Sequence, residues 1–214
     1  MKRLLVLGAG TAGTMVVNKL RPRLAVDEWD VTVVEPSALH LYQPGLLFVP
    51  FGRYEPSDLL KATRPLLAKG VTFVQGEVDR VEPAADRVLL TDGRSLAYDQ
   101  LVIATGTHPR PDMTPGMTGP QAGKTVHEFF TLEGARALRD VLRVWRKGRL
   151  VVHLTELPIK CPVAPLEFAF LADDFFRRAR VRQDVEITFV TPLSGAFTKP
   201  IAAKQLGGML ERRG

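Results

Sequence analysis

The sequence predicts an α/β protein with two successive lobes, and three features predict it. Residues 3–7 form an apolar run that ends in glycines, and apolar residues at helical spacing follow over 12–20. A second predicted strand over 30–35 completes a strand–helix–strand unit, in which a right-handed crossover joins parallel strands. A similar pattern restarts after residue 125. Both lobes are therefore expected to be Rossmann-like.

The rest of the first lobe, assigned to residues 1–108, alternates helical and extended patterns. A helix is predicted over 56–67, and a strand follows at 71–75. Short alternating segments separated by turn residues between 77 and 98 predict an inserted antiparallel meander. The apolar run 100–104 then returns to the main sheet.

A stretch rich in proline and glycine, residues 109–125, is predicted to link the lobes. The second lobe, 126–214, has too few strands for a complete sheet, so a partial, truncated lobe is predicted. Its expected elements are a helix at 131–147, a strand at 150–154, a helix at 164–178, a strand at 185–190 and a helix at 201–212.

Composition is that of an ordinary globular protein, with 45% apolar and 24% charged residues. The net charge of +6 is spread along the chain, so no nucleic-acid partner is predicted. No apolar run approaches the ~20 residues that span a bilayer. The apolar start is broken at once by glycines, unlike a signal peptide. We therefore expect a cytoplasmic protein, with any membrane contact being peripheral.

The predicted helix at 131–147 carries a stripe of arginines at helical spacing. A solvated helix face is the favoured interpretation, and attraction to anionic lipid headgroups is the alternative. The arginines are Arg136, Arg139, Arg143 and Arg146, and the opposite, buried stripe is predicted to be Ala135, Leu138, Leu142 and Trp145.

A dinucleotide-binding fingerprint, Gly8-x-Gly10-x-x-Gly13, follows the first strand and opens the first helix. Glu35 ends the second strand about twenty residues later, where an acidic side chain accepts hydrogen bonds from a ribose. The glycines allow a tight turn, close approach of a pyrophosphate and close helix packing, and the helix N-terminus favours negative charge. The predicted ligand contacts in this segment are Gly8, Gly10, Thr11, Ala12, Gly13 and Glu35.

The fingerprint alone does not separate FAD from NAD, and a second motif bears on that choice. Ala104-Thr105-Gly106 follows the last strand of the first lobe, after the meander. In both respects the chain resembles the two-lobed flavoprotein disulfide reductases, which implies FAD as the cofactor. The same resemblance implies that the backbone of Val78 contacts the adenine.

Cysteine and glycine positions separate the branches of that superfamily. Residues 40–47 contain no cysteine, which excludes the branch with an early redox pair, and Cys161-Pro162-Val163-Ala164 lacks the second thiol of a Cys-x-x-Cys motif. No glycine follows the strand 150–154 before Cys161, so NAD has no pyrophosphate cradle there. Type II NADH dehydrogenases are disfavoured on this ground.

Taken in order, these motifs resemble the sulfide:quinone oxidoreductase and flavocytochrome c sulfide dehydrogenase family. Supporting motifs are the Tyr42–Gly45 loop, Cys161 with Glu167 six residues later, and Thr191-Pro192. The resemblance implies an FAD enzyme that oxidises sulfide and passes electrons via Cys161 and FAD to a quinone. The family's second redox cysteine lies late in the chain, and the 214 residues contain only one cysteine, so a poorly active, truncated form is expected.

Cys161 lies just before a predicted helix and next to Lys160, and both features favour the thiolate. The alternative is a buried, inert thiol, and the single cysteine also indicates a reducing compartment. The resemblance implies proton handling by Glu167; a carboxylate that only stabilises the helix N-terminus is the alternative.

Three further functional classes stay open at this point: an NADH-dependent flavin oxidoreductase, a non-catalytic FAD- or nucleotide-binding module, and a structural fragment that binds no cofactor. The four histidines lack metal-ligand spacing, so no metal site is predicted. The apolar segment 46–51 is expected to be core. A homo-oligomer is expected.

Overall fold

The computed structural model describes residues 1–214, which divide into two compact units. The first comprises Met1–Tyr42 and Ser57–His108, and the second comprises Gln43–Pro56 and Pro109–Gly214. Residues 43–56 thus group with the second unit, although the sequence placed them in the first lobe. Leu47 and Phe51 of this segment are buried in the second unit's core, and Phe51 packs 4.9 Å from Phe168 between ring centroids. The segment 46–51 is therefore core, as predicted.

The first unit is built around a parallel sheet. Its elements are β1 (Lys2–Leu7), α1 (Thr11–Leu20), β2 (Trp29–Glu35), β3 (Leu39–Leu41), β4 (Leu60–Ala62), β5 (Val71–Gln75), β6 (Val78–Glu82), β7 (Arg87–Leu90), β8 (Ser95–Ala97) and β9 (Gln100–Ile103). The strand order is β5-β2-β1-β9, all parallel, and β6-β7-β8 form the predicted antiparallel meander. The predicted fold class is confirmed.

The central strand β1 is buried on both faces, which explains its unbroken apolar sequence. Leu4 and Val6 pack in one cluster with Val17 of α1. Leu5 and Leu7 point the other way and pack with the meander. Helix and meander therefore cover opposite faces of the sheet and leave its carboxyl edge to the loops.

The predicted helix over 56–67 is wrong. The stretch contains a 3-10 turn at Pro56–Leu59, the strand β4, and a second 3-10 turn at Arg64–Leu66. Pro65 has no N–H for an α-helical bond to the Lys61 carbonyl, and its ring would clash there. The residues before it instead pair antiparallel with β3.

The second unit contains a small parallel sheet flanked by helices. Its elements are α2 (Leu132–Val144), β10 (Gly148–His153), α3 (Ala164–Arg178), β11 (Val185–Val190) and α4 (Pro200–Arg213). Only β10 and β11 pair in this sheet, in parallel, as a partial Rossmann-like lobe requires. Among residues 1–214, no helix has the length and apolarity needed to cross a membrane.

The two stripes of α2 behave differently. Ala135, Leu138 and Leu142 are buried as predicted, and Trp145 packs against the same core. On the other face, Arg139 is ion-paired with Glu55, and Arg146 donates to the carbonyl oxygens of the helix end. Half of the predicted arginine stripe is thus engaged within the unit, which favours a structural role over lipid attraction.

Candidate functional site

The predicted cofactor residues of the first unit meet at the carboxyl edge of its parallel sheet. The Gly8 N–H donates to the Val34 carbonyl oxygen at 2.7 Å, which joins the ends of β1 and β2. The Ala104 N–H donates to the Leu7 carbonyl oxygen, also at 2.7 Å, and joins β9 to β1. The ends of three adjacent strands, β2, β1 and β9, therefore meet at this edge, which is the usual ligand position in an open α/β sheet.

The three fingerprint glycines serve different purposes. Gly8 has φ +95°, and a Cβ there would lie less than 3 Å from the Ala104 carbonyl. A Cβ on Gly13 would overlap the Gly8 carbonyl oxygen. A Cβ on Gly10, by contrast, would meet no atom within 4 Å. The protein's own packing thus requires Gly8 and Gly13, whereas the open space at Gly10 is what a closely approaching ligand would need.

The N-terminus of α1 is suited to an anion. Thr11 and Ala12 form its first turn with Gly13, and both are exposed. The N-cap residue Gly10 offers no side-chain acceptor, and the first turn has no acidic residue. The first N–H groups and the positive end of the helix dipole are therefore available to a pyrophosphate.

Glu35, half-buried at the end of β2, has a role beyond its expected one. One carboxylate oxygen accepts the Ala9 N–H at 2.8 Å, and the other accepts the Ser37 N–H at 3.2 Å. Each oxygen keeps a second lone pair, so the predicted acceptance of ribose hydroxyls is compatible with these bonds. Glu35 holds the glycine turn in addition to offering a ligand contact.

The other predicted contacts lie beside this turn. Ala104 and Thr105 pack directly under Gly8, and Gly106 takes a left-handed conformation, φ +73°. Val78 begins β6 and packs with the core beneath β1, while the preceding Gly76 donates to the Glu35 carbonyl oxygen. Their contacts with a cofactor stay predictions.

His40 is a further residue of this site, and the sequence did not predict it. His40 lies on β3, and its Nδ1 is 3.0 Å from the Ala9 carbonyl oxygen. The contact joins residues 31 positions apart through a three-residue strand that no sequence pattern revealed.

The second unit places Cys161 in a long strand-to-helix connection. Residues 154–163 join β10 to α3, whereas residues 8–10 are enough to join β1 to α1. This cysteine loop, residues 154–163, contains no glycine. Cys161 is half-buried, and its carbonyl oxygen accepts the Ala164 N–H at 3.2 Å as α3 begins. Glu167 is exposed in the first turn of α3.

Comparisons with known proteins agree with the architecture. Residues 2–152 match the sequence profile of the family described as pyridine nucleotide-disulphide oxidoreductase. The mitochondrial sulfide:quinone oxidoreductase of Dictyostelium discoideum is 25% identical over 99% of this chain and 47% of its own length. The chain thus spans about half the length of such relatives.

Two further relatives match different shares of the chain. The crystal structure of the sulfide:quinone oxidoreductase from Aquifex aeolicus superposes on all of this chain and 49% of its own, with a TM-score of 0.84 and 20% identity. A type II NADH:quinone oxidoreductase of Staphylococcus saprophyticus is 33% identical, but over only 49% of this chain and 26% of its own length. The similarity to the Aquifex structure thus extends through the cysteine loop, whereas the similarity to the NADH:quinone oxidoreductase covers about half as much of the chain.

Proposed function

The chain belongs to the pyridine nucleotide-disulphide oxidoreductase family, whose members similar to it are FAD-binding flavoproteins, and on that premise we propose that it serves sulfide oxidation. In this proposal electrons from sulfide pass via Cys161 and FAD to a quinone. The proposal rests on the relatives that match nearly the whole chain and are named sulfide:quinone oxidoreductases.

The cysteine loop is the single observation that carries this proposal against an NADH-dependent one. A second nucleotide would need a short glycine turn between β10 and α3, like the one between β1 and α1. Residues 154–163 are longer, lack glycine and carry the chain's only cysteine. The position thus offers a thiol and not a pyrophosphate cradle.

Residues of both units have defined roles in the proposed chemistry. Gly10, the first turn of α1 and Glu35 would hold the dinucleotide part of FAD, which when bound supplies a two-electron acceptor. The Cys161 thiolate would bond to the sulfur of hydrosulfide, and formation of this persulfide releases one proton and two electrons. Glu167, exposed six residues later, is the proposed proton acceptor.

Anaerobic rapid mixing of the FAD-loaded chain tests the proposal. Sulfide should bleach the flavin absorbance, and NADH should not. Mass spectrometry should then find one added sulfur on Cys161. Cys161→Ser should abolish both signals, whereas the control Thr155→Ser, in the same loop, should keep them. Bleaching by NADH would favour the alternative flavin oxidoreductase, and bleaching by neither donor would favour a non-catalytic FAD-binding module.

Sustained turnover by the 214-residue chain is expected to be low. Release of the bound sulfur by exchange needs a second sulfur nucleophile, and this sequence supplies one cysteine. With sulfide limited to a few equivalents, sulfide-dependent reduction of a soluble quinone should therefore slow sharply after about one equivalent per chain, and an added thiol or a large excess of hydrosulfide should restore it by accepting the sulfur. Undiminished reduction beyond one equivalent at limiting sulfide, without added thiol, would contradict this part of the proposal. A peripheral membrane contact, where an apolar quinone would be met, and a homo-oligomeric state belong to the same proposal.

A further inference from the structure

The peptide units on either side of Ala9 are held by side chains from three different elements. The Ala9 N–H is bound by Glu35 at the end of β2, at 2.8 Å. The Ala9 carbonyl oxygen accepts from the Thr14 hydroxyl of α1 at 2.8 Å and lies 3.0 Å from His40 Nδ1 of β3. A residue with an unreactive methyl side chain thus has all its backbone polar groups occupied.

This arrangement sets the direction of the neighbouring N–H. The Ala9 carbonyl and the Gly10 N–H belong to one trans peptide plane and point in opposite directions. A carbonyl turned toward His40 and Thr14 therefore turns the Gly10 N–H away from them. If the same peptide flipped, the carbonyl oxygen would face the ligand side and repel the oxygens of a pyrophosphate.

His40 is itself held in place by a small sheet. β3 pairs with β4, with His40 opposite Lys61. Before this pair, the Ser37 hydroxyl both donates to and accepts from the backbone of Leu39, at 3.0 Å each. Beyond it, the Tyr42 N–H donates to the Leu59 carbonyl oxygen at 2.8 Å. The imidazole is thus carried on a backbone that is bonded on both sides.

We propose that His40 is a positioning residue for the cofactor: its Nδ1–H, together with the Thr14 hydroxyl, fixes the Ala9–Gly10 peptide so that the Gly10 N–H can bind the FAD pyrophosphate. A carbonyl oxygen only accepts, so Nδ1 must carry the proton. The position of the donating nitrogen, and not the aromatic ring, is therefore what holds the Ala9 carbonyl oxygen. This inference rests on the proposed FAD function.

Substitutions that keep or move the donor test the inference. The side-chain nitrogen of asparagine replaces Nδ1 of histidine, and that of glutamine replaces Nε2. FAD affinity, measured by quenching of flavin fluorescence, should fall about tenfold in His40→Ala and His40→Gln, as expected for one lost hydrogen bond. His40→Asn should restore affinity to within about threefold of the unchanged chain. A role in packing alone would not distinguish asparagine from glutamine.

The outcomes separate this inference from the proposed function. Wild-type chain that binds no FAD would contradict the proposed function. Wild-type chain that binds FAD, with His40→Ala and His40→Gln binding equally well, would overturn the positioning role alone, as would equal losses in the asparagine and glutamine variants. Should His40→Ala fail to fold by circular dichroism, Thr14→Val removes the other donor to the same carbonyl. It should also weaken FAD binding about tenfold, and unchanged affinity would count against the inference.

Discussion

Gly10→Ala should remove FAD binding and leave the apoprotein as stable as before. The Cβ of an alanine at this position would meet no protein atom within 4 Å, and Gly10 has φ −67° and ψ −166°, which alanine adopts without strain. The free energy of unfolding should therefore change by less than about 0.5 kcal/mol. The added methyl lies where the pyrophosphate must approach, so FAD affinity should fall at least about 100-fold.

Gly13→Ala is the matched control for that prediction. Its Cβ would overlap the carbonyl oxygen of Gly8, which must then move together with the turn. Gly13→Ala should therefore lose FAD binding and also stability, with the free energy of unfolding falling by about 2 kcal/mol or more. Chemical denaturation of the apoprotein and a fluorescence titration with FAD measure the two effects separately. Equal stability losses in the two variants would contradict the different roles assigned to these glycines.

Asp173→Ala should cause the largest loss of stability in the second unit. The Asp173 side chain, 5% exposed, is paired with Arg177 and Arg182 and with Arg213 of α4. Removing the carboxylate leaves three guanidinium groups close together with no shared counter-charge. We expect the free energy of unfolding to fall by about 3 kcal/mol.

The neighbouring Asp174 provides the control for Asp173. Its side chain is 38% exposed and pairs with Arg53 and Arg178, whose side chains are 43% and 70% exposed. Asp174→Ala should cost less than about 1 kcal/mol, because solvent screens exposed pairs. Urea denaturation of the two variants gives the comparison, and a larger loss for Asp174→Ala would contradict this account of the second unit.

The contribution of Asp173 should also depend on pH in a defined direction. Burial opposes ionisation, but hydrogen bonds from the three arginines outweigh it and hold the pKa of Asp173 below its ordinary value. The stabilisation is therefore fully present above the unfolded-state pKa of about 3.9 and is lost as the pH falls through the lower, folded-state value. In acid titration, Asp173→Ala should lose less stability below about pH 4 than the unchanged chain does.

Sequence periodicity predicted most of the helices and strands, because each buries one or both faces and its apolar residues therefore recur at the spacing of that element. The bounds of β5, α3 and β11 match those expected from the apolar pattern, and the meander lies where its turn residues indicated. The pattern failed at 56–67, where Leu59, Ala62 and Leu66 stand at helical spacing but belong to 3-10 turns and a short strand. There, pairing with β3 and the proline at position 65 outweighed local helical preference.

The candidate site was predictable only in part, for a similar reason. Gly8, Gly10, Gly13 and Glu35 stand at spacings that a strand–turn–helix unit dictates, so the sequence identified them. The contact of His40 with Ala9 depends on how β3 and β4 pair across the chain, and no local pattern records it. Likewise, the apolar residues 46–51 predicted that this segment is buried, but not that residues 43–56 belong to the second unit.

The most direct test of the central claim is a titration of the purified apoprotein with FAD, followed by flavin fluorescence. The account predicts saturable quenching with one FAD per chain, and no comparable binding of NAD, for which the cysteine loop offers no glycine turn. Absence of saturable FAD binding up to about 100 μM in folded protein, a free energy of binding weaker than about −5.5 kcal/mol, would contradict it.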